Sequence, residues 1–358
     1  MWADRRVLDL FGIEHPILLS PMANAGTLEL AIAVGEAGGL GALPCGMIGP
    51  QQIRNSLDII RQRTSHPINL NFFCHSQPSY DAARDARWRH RLARFYAELA
   101  IDPKASPVPA PVPPFDEDAC ALVEEYRPEV VSFHFGLPDE HLLARVKAAG
   151  ARVISSATTV AEARWLEEHG CDALIAQGYE AGGHRGMFLE EEIATQVGAL
   201  ALIPQVADAV SIPVIAAGGI ADGRGIAAAL VLGASAVQIG SAYLLCPESG
   251  FKPTQRDVLR NARDDSTALA NVFTGRPARA FANRFARALG FIDSEAPAYP
   301  LPSGDFAPLR IRAEADGLAD FAYVLFGQAA ALARDITAAE LTRTLAAEAQ
   351  ERLRSAAR

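Results

Sequence analysis

The chain has 358 residues, 50% of them hydrophobic and 21% charged, with a formal net charge of −9. That is material for a sizeable core, without the low hydrophobicity and high charge of a disordered chain. With lysine only at Lys104, Lys147 and Lys252 and the arginines dispersed, nucleic acid is excluded as the main partner, because phosphate contacts need clustered cations.

In chain order, residues 16–20 read as a strand and 28–37 as a helix stopped by Gly38 and Gly39. A second strand at 40–44 precedes a helix at 50–63 that opens on Pro50, where a missing N–H costs nothing. A third strand follows at 68–73. Further strands at 130–135, 152–156, 173–176, 214–217 and 236–239 alternate with helical stretches such as 140–149 and 160–169. Near-continuous apolar strands alternating with helices imply a parallel sheet covered on both faces. Eight such units predict an α/β fold of the closed (β/α)8 TIM-barrel type, which by itself occupies about 250 residues and leaves room for an elaboration.

Two stretches break this rhythm. Residues 75–115 leave the end of the third strand as a long excursion, with an Arg-rich helical piece at 84–99 and then Pro103, Pro107, Pro109, Pro111, Pro113 and Pro114. Such proline density forbids regular helix and predicts a stiff, extended surface strap or cover. From 249 to 318 the unit pattern stops again; 264–271 and 279–289 read as helices and 296–309 as loop, together an added, mainly helical lid or subdomain. The stretch 318–358 is Ala-rich and reads as helical, with 338–353 strongly periodic as a barrel-closing helix. The expected division is therefore a barrel from 1–248 and 319–358, and a subdomain from 249–318 covering the active site.

Cys45, Cys74, Cys120, Cys171 and Cys246 are widely spaced, odd in number and without a CxxC pair. They predict reduced thiols in a cytoplasmic protein and no metal site. Residues 1–14 are broken by Asp4, Asp9 and Glu14, and no later apolar run reaches membrane-spanning length. Neither a signal peptide nor a membrane partner is expected.

The chemistry concentrates at Gln177-Gly178-Tyr179-Glu180-Ala181-Gly182-Gly183-His184-Arg185-Gly186, directly after the sixth strand. Its glycines let the backbone take positive φ and approach a ligand closely. His184, with an ordinary pKa near the working pH, is the candidate for proton chemistry. Arg185 beside it either adds positive charge to the site or points out to the surface. After the last two strands, Gly218-Gly219 and Gly240-Ser241 place free backbone N–H groups together where barrels commonly bind phosphate, so a phosphorylated cofactor is expected. No GxGxxG follows the first strand, which argues against a Rossmann nicotinamide site. His75, just after the third strand, and His134, near the end of the fourth, are weaker candidates for substrate contact. Cys45 and Cys74 read as packing residues rather than redox groups.

Pro21-Met22-Ala23, Ala37-Gly38-Gly39-Leu40-Gly41, Asn69-Leu70-Asn71-Phe72, the motif from Glu180 to Gly186, and Pro213 through Ser241 occur in an order that resembles the FMN-dependent nitronate monooxygenases, formerly called 2-nitropropane dioxygenases. The resemblance runs over most of the chain ahead of Gly250, with weaker support from Tyr299-Pro300-Leu301 and Gly327-Gln328. It implies a TIM barrel holding non-covalent FMN at the C-terminal ends of its strands. By position, Met22 would lie against the isoalloxazine, Asn71 and Gln177 would hydrogen-bond the flavin or its ribityl chain, and Gly182 and Gly183 would approach it closely. Gly218, Gly219, Gln238, Gly240 and Ser241 would form the phosphate end, and His184 matches the family's catalytic histidine. The implied reaction is oxidation of a small nitronate or nitroalkane by O2 to a carbonyl compound and nitrite. His184 would act as base or anion-binding group, and the flavin would carry the electron chemistry. FMN-dependent NAD(P)H reductases of the enoyl-acyl carrier protein reductase and NADH:quinone reductase types share the barrel, the glycine–His motif and the phosphate strands, and remain the alternative. Ala181 and the Pro-rich excursion favour the monooxygenase. Oligomeric state stays open, a homodimer included.

Overall fold

Eight parallel strands close on themselves in the computed structural model, which describes residues 2–105 and 113–356. They are β1 (Ile17–Leu19), β2 (Gly41–Pro44), β3 (Ile68–Phe73), β4 (Val130–His134), β5 (Arg152–Ala157), β6 (Ala173–Gln177), β8 (Val214–Ala217) and β9 (Ala236–Ile239), with the short β7 (Gly183–His184) lying outside the barrel. The sheet runs β2-β3-β4-β5-β6-β8-β9-β1, and a parallel bridge from Leu18 to Leu40 returns β1 to the β2 edge. Strands such as β1, β6 and β8 are buried at every position, as near-continuous apolar runs covered on both sides require. The predicted TIM barrel is the observed fold.

Local chemistry starts the helices that wrap the barrel. Thr27 accepts from the Leu30 N–H at 3.0 Å ahead of Leu28–Glu36, and Asp222 accepts from Arg224 and Gly225 ahead of Gly223–Val231. Gly41 permits the first of these to sit hard on the sheet, since a Cβ there would lie 2.2 Å from the Ala31 carbonyl oxygen. The final helix, Ala338–Ala356, packs on Gly223–Val231 and Leu28–Glu36 through Leu341, Leu345 and Ala349, at the helical spacing read from the sequence.

The departures from expectation lie in the two interruptions. The Arg-rich piece is a helix, Ala82–Glu98, begun by the Asp81 side chain, and its Trp88, Leu92, Phe95 and Tyr96 bury against Phe273, Phe285, Phe306 and Phe321 in a second apolar core. The first interruption thus supplies one face of the second. Pro107, Pro109 and Pro111 of the expected strap lie outside the described residues. The stretch 264–271, read as helix, contains instead β10 (Thr267–Ala270), which pairs antiparallel with β11 (Ala278–Phe281), and β11 pairs in turn with β7. Pairing with a distant strand overrides the local helical preference here. Asn283 then caps a short helix, Arg284–Leu289, so its N-cap chemistry marks a break that periodicity alone hid. Residues 296–309, read as loop, end in a helix, Pro302–Ala315, with proline at its first turn. Between 318 and 337 the chain is not helical apart from short 3₁₀ turns, because it is drawn along the glycine motif, where the Gln328 N–H donates to the Glu180 carbonyl at 3.0 Å. No helix among the described residues is long and apolar enough to cross a membrane, and none of their His, Cys, Asp and Glu side chains group as a metal site. The five cysteines are free, and burial pushes the Cys45 and Cys74 thiols well up.

Candidate active site

A cavity of about 390 Å³ lies at the C-terminal ends of the barrel strands. Met22, Asn71, His134, Gln177, Gly182, Gly183, His184, Gly218, Gly219, Gln238, Gly240 and Ser241 all line it. His75 does not. It is buried behind the wall, its ring edge-on to Tyr299 at 4.9 Å, and Tyr299 is what faces the cavity. Part of the remaining wall comes from residues without a sequence signal for such a role: Thr274, Phe306 and Arg310 from the added segment, and Tyr323 and Phe326 from the non-helical stretch after it.

The glycine motif is held from behind by two buried guanidinium groups. Arg185 is fully buried, donating from Nη2 to the Gln177 carbonyl at 2.7 Å, from Nη1 to the Gly178 carbonyl at 2.6 Å, and from Nε to Gln196 Oε1 at 2.9 Å. It therefore neither charges the cavity nor reaches the surface. Arg279 from β11 takes the next carbonyl, that of Tyr179, at 2.8 Å from Nη2. Three successive carbonyls are thus bound on the protein side, by planar forks suited to several acceptors at once. The network continues: Gln196 donates to Thr158 Oγ1, Thr158 donates to buried Glu162, and Glu162 accepts from the Phe188 N–H at 2.6 Å, which pins the far end of the same loop. Gln177 closes the loop from inside, donating to the His184 carbonyl at 3.0 Å and accepting from the Gly186 N–H at 2.8 Å.

The motif's two central glycines are needed for different reasons. A Cβ on Gly182 would sit 2.5 Å from the Phe326 carbonyl carbon, so only glycine lets the stretch after the added segment pass. Gly183 has φ +78° and open space where a side chain would be, so its bare backbone is offered to the cavity.

His184 and His134 are the titratable pair of the site. His184 Nε2 lies 3.0 Å from Thr274 Oγ1. His134 Nε2 lies 3.2 Å from the His184 carbonyl, and its Nδ1 lies 3.2 Å from Ser156 Oγ. Burial, then the neighbouring His134, Arg276 and His75, pushes His184 down to about 3. Burial first, with Arg276 and Arg185, pushes His134 down to about 4. Each ring keeps some accessible surface on its cavity side, but protein surrounds the rest, and the neutral form is favoured at neutral pH.

A stability consequence follows with a definite sign. Both native pKa values lie below the ordinary 6.5, so below pH 6.5 the unfolded chain binds protons that the native chain refuses. The stabilisation is complete above 6.5 and drains as pH falls towards 4 and 3. Without a bound ligand, the protein is expected to lose roughly 2–4 kcal/mol between pH 7 and pH 5 relative to a His134→Gln, His184→Gln double variant, the range allowing for water in the cavity. Urea midpoints of both proteins at the two pH values check this, and parallel pH curves would refute it.

The cavity's amides and glycine-lined strand ends suit a phosphorylated ligand. Gln238 Oε1 is buried without a protein partner, an acceptor left for a ligand N–H or O–H. Gly218 and Gly219, at φ +105° and +72°, end β8 beside Gly240 and Ser241 after β9, an arrangement of exposed backbone suited to a phosphate. Asn71 donates from Nδ2 to Ser132 Oγ at 3.0 Å, which orients its amide at the cavity wall. No Asp or Glu lines the cavity among the described residues; Lys252 and Arg310 do, and both pair with Glu314, at 2.8 and 3.1 Å. A further cation, Arg276, lies just behind the wall with its guanidinium 4.0 Å above the Phe135 ring.

Known proteins resemble this chain along nearly its whole length. Residues 4–348 match the sequence profile of the family described as nitronate monooxygenase. The chain is 43% identical to the nitronate monooxygenase of Pseudomonas aeruginosa over 351 residues, covering 96% of this chain and 98% of that one. It is 40% identical to the nitronate monooxygenase of Paraburkholderia phytofirmans, covering 97% and 95%. Among solved structures, the nitroalkane oxidase from Streptomyces ansochromogenes superposes with a TM-score of 0.88 at 38% identity, over 99% of this chain and 100% of that one. FabK from Thermotoga maritima reaches 0.77 at 30% identity, over 100% and 99%. These matches take in the added segments as well as the barrel, and the chain therefore belongs to the nitronate monooxygenase family of oxidoreductases.

Proposed function

We propose that this protein binds FMN at the C-terminal ends of its strands and oxidises small alkyl nitronates, and nitroalkanes through them, with O2 to a carbonyl compound and nitrite. The observation that carries this reading is a cavity in which the glycine ends of β8 and β9, and a Gln238 Oε1 without a protein partner, lie on the same wall as His184. When bound, the flavin supplies the one-electron chemistry with dioxygen. Gly218, Gly219, Gly240 and Ser241 hold its phosphate, Gln238 and Asn71 present amide oxygens to it, and Met22 and Gly183 lie along it.

His184 is the group that handles the proton. Neutral in the free site, it takes the α-proton of a neutral nitroalkane. With a preformed nitronate no proton needs to move, and the anion raises the histidine's pKa again, so the ring then binds the nitro oxygens as a donor. His134, tied at both nitrogens, positions the His184 backbone. The segment 249–318 acts as the subdomain over the site, supplying Thr274, Tyr299 and Phe306 to the cavity wall.

Mixing the purified flavoprotein with a nitronate in air should release nitrite with oxygen uptake and without NAD(P)H. Rapid anaerobic bleaching by NADH or NADPH would overturn this reading in favour of a reductase.

A further inference from the structure

The geometry points to Thr274 as the residue that sets the tautomer of His184, placing the ring proton on Nε2 and leaving Nδ1 as the proton acceptor. The inference rests on His184 being the proton acceptor of the proposed function, and it concerns which of its two nitrogens does the work.

A threonine hydroxyl has one proton to give. Thr274 Oγ1 donates it to the Arg276 carbonyl, 3.2 Å away in the same turn. Towards the His184 Nε2 at 3.0 Å the oxygen is then an acceptor, and Nε2 must carry the hydrogen. The neighbouring ring follows the same logic by a stricter route. His134 Nε2 faces the His184 carbonyl oxygen, which can only accept, so His134 also bears its proton on Nε2 and takes the Ser156 hydroxyl proton at Nδ1. Two hydroxyls and two carbonyls thereby hold both imidazoles neutral in one tautomer each.

Backbone pairing sets the distance. β11 runs antiparallel to β7 with Ala278 opposite His184, and Thr274 sits in the turn four residues before Ala278, so the register of these strands carries its hydroxyl to the ring. The turn itself is fixed: the Gly275 N–H donates to the Asn271 carbonyl at 2.7 Å, and at φ +89° a Cβ on Gly275 would lie 2.3 Å from the Pro297 carbonyl oxygen. Thr274 is 6% exposed, so the bond is shielded from competing water. The loop that follows β6 thus contributes the histidine and the added segment contributes the group that tells it which nitrogen is the base.

The test uses the FMN-loaded enzyme labelled with 15N-histidine, the His184 ring signals being assigned by their loss in His184→Gln. The wild type and Thr274→Ser are expected to show a protonated Nε2 and an unprotonated Nδ1. Thr274→Val, which keeps the shape and loses the acceptor, should show tautomer-averaged shifts. Its kcat on a neutral nitroalkane should fall about tenfold with KM little changed, since one net hydrogen bond corresponds to roughly a decade, and serine should restore it. A wild-type His184 protonated on Nδ1, or Thr274→Val shifts identical to wild type, would overturn the inference. Averaged shifts with undiminished nitroalkane turnover would uphold Thr274 as the tautomer-setting group and remove His184 as the proton acceptor instead.

Discussion

Replacing His184 by glutamine is expected to lower turnover of neutral nitroalkanes by about 10²–10⁴-fold, the usual contribution of a positioned general base, while turnover of the corresponding preformed nitronates falls far less. The difference arises because only the neutral substrate must give up an α-proton in the site. The cofactor should stay bound, since the groups assigned to its phosphate, Gly218, Gly219, Gly240 and Ser241, make no use of the imidazole, and the His184 carbonyl that Gln177 and His134 hold survives the substitution. Steady-state nitrite release on a matched nitroalkane and nitronate, with flavin absorbance as the check on binding, measures it. Equal losses on both substrates would mean that the ring positions the anion and moves no proton.

Arg185→Met should destabilise the protein by about 3–5 kcal/mol and release the flavin more readily. The side chain is fully buried, and its removal takes the guanidinium donor from the Gln177 carbonyl and leaves the Gly178 carbonyl only the Ala181 N–H, in a place water does not reach. Burial pushes the guanidinium down only to about 10, so it remains charged at neutral pH and its bonds are charge-assisted. Those carbonyls belong to the loop that presents Gly183 and His184, so the damage should appear in cofactor affinity as well as in the urea midpoint. Arg185→Lys should recover part of the stability, because an ammonium lacks the planar fork that reaches two carbonyls and Gln196 together. A midpoint for Arg185→Met within about 0.5 kcal/mol of wild type, the ordinary range of a surface change, would show that the clamp contributes nothing.

The sites of these two predictions differ in how far they could be read from the chain. His184 stands out because glycines crowd around it at the end of an apolar strand, and the need for positive φ and close approach is local. Arg185, one residue on, was indistinguishable from a surface arginine, because its direction depends on a loop that wraps around it. The same contrast holds along the fold. The barrel strands are legible as short, near-continuous apolar runs and the closing helix from its period of 3.6 residues, while glycines that terminate consecutive strands mark the end of the barrel where the cavity lies. The strand nature of 267–270 was not legible, because only pairing with β11, and of β11 with β7, makes that segment extended.

By itself, the sequence determined the eight-unit barrel and the glycine-rich turn after its sixth strand that holds His184, both of which follow from interactions between near neighbours. Only the tertiary structure decided that Arg276 stands behind Phe135, that His75 is screened by Tyr299, and that Thr274 meets His184. That last contact joins residues 90 apart in the chain. No local pattern encodes such a meeting; it exists because two strands from different parts of the molecule pair in one register, and the burial they share makes the hydrogen bond count.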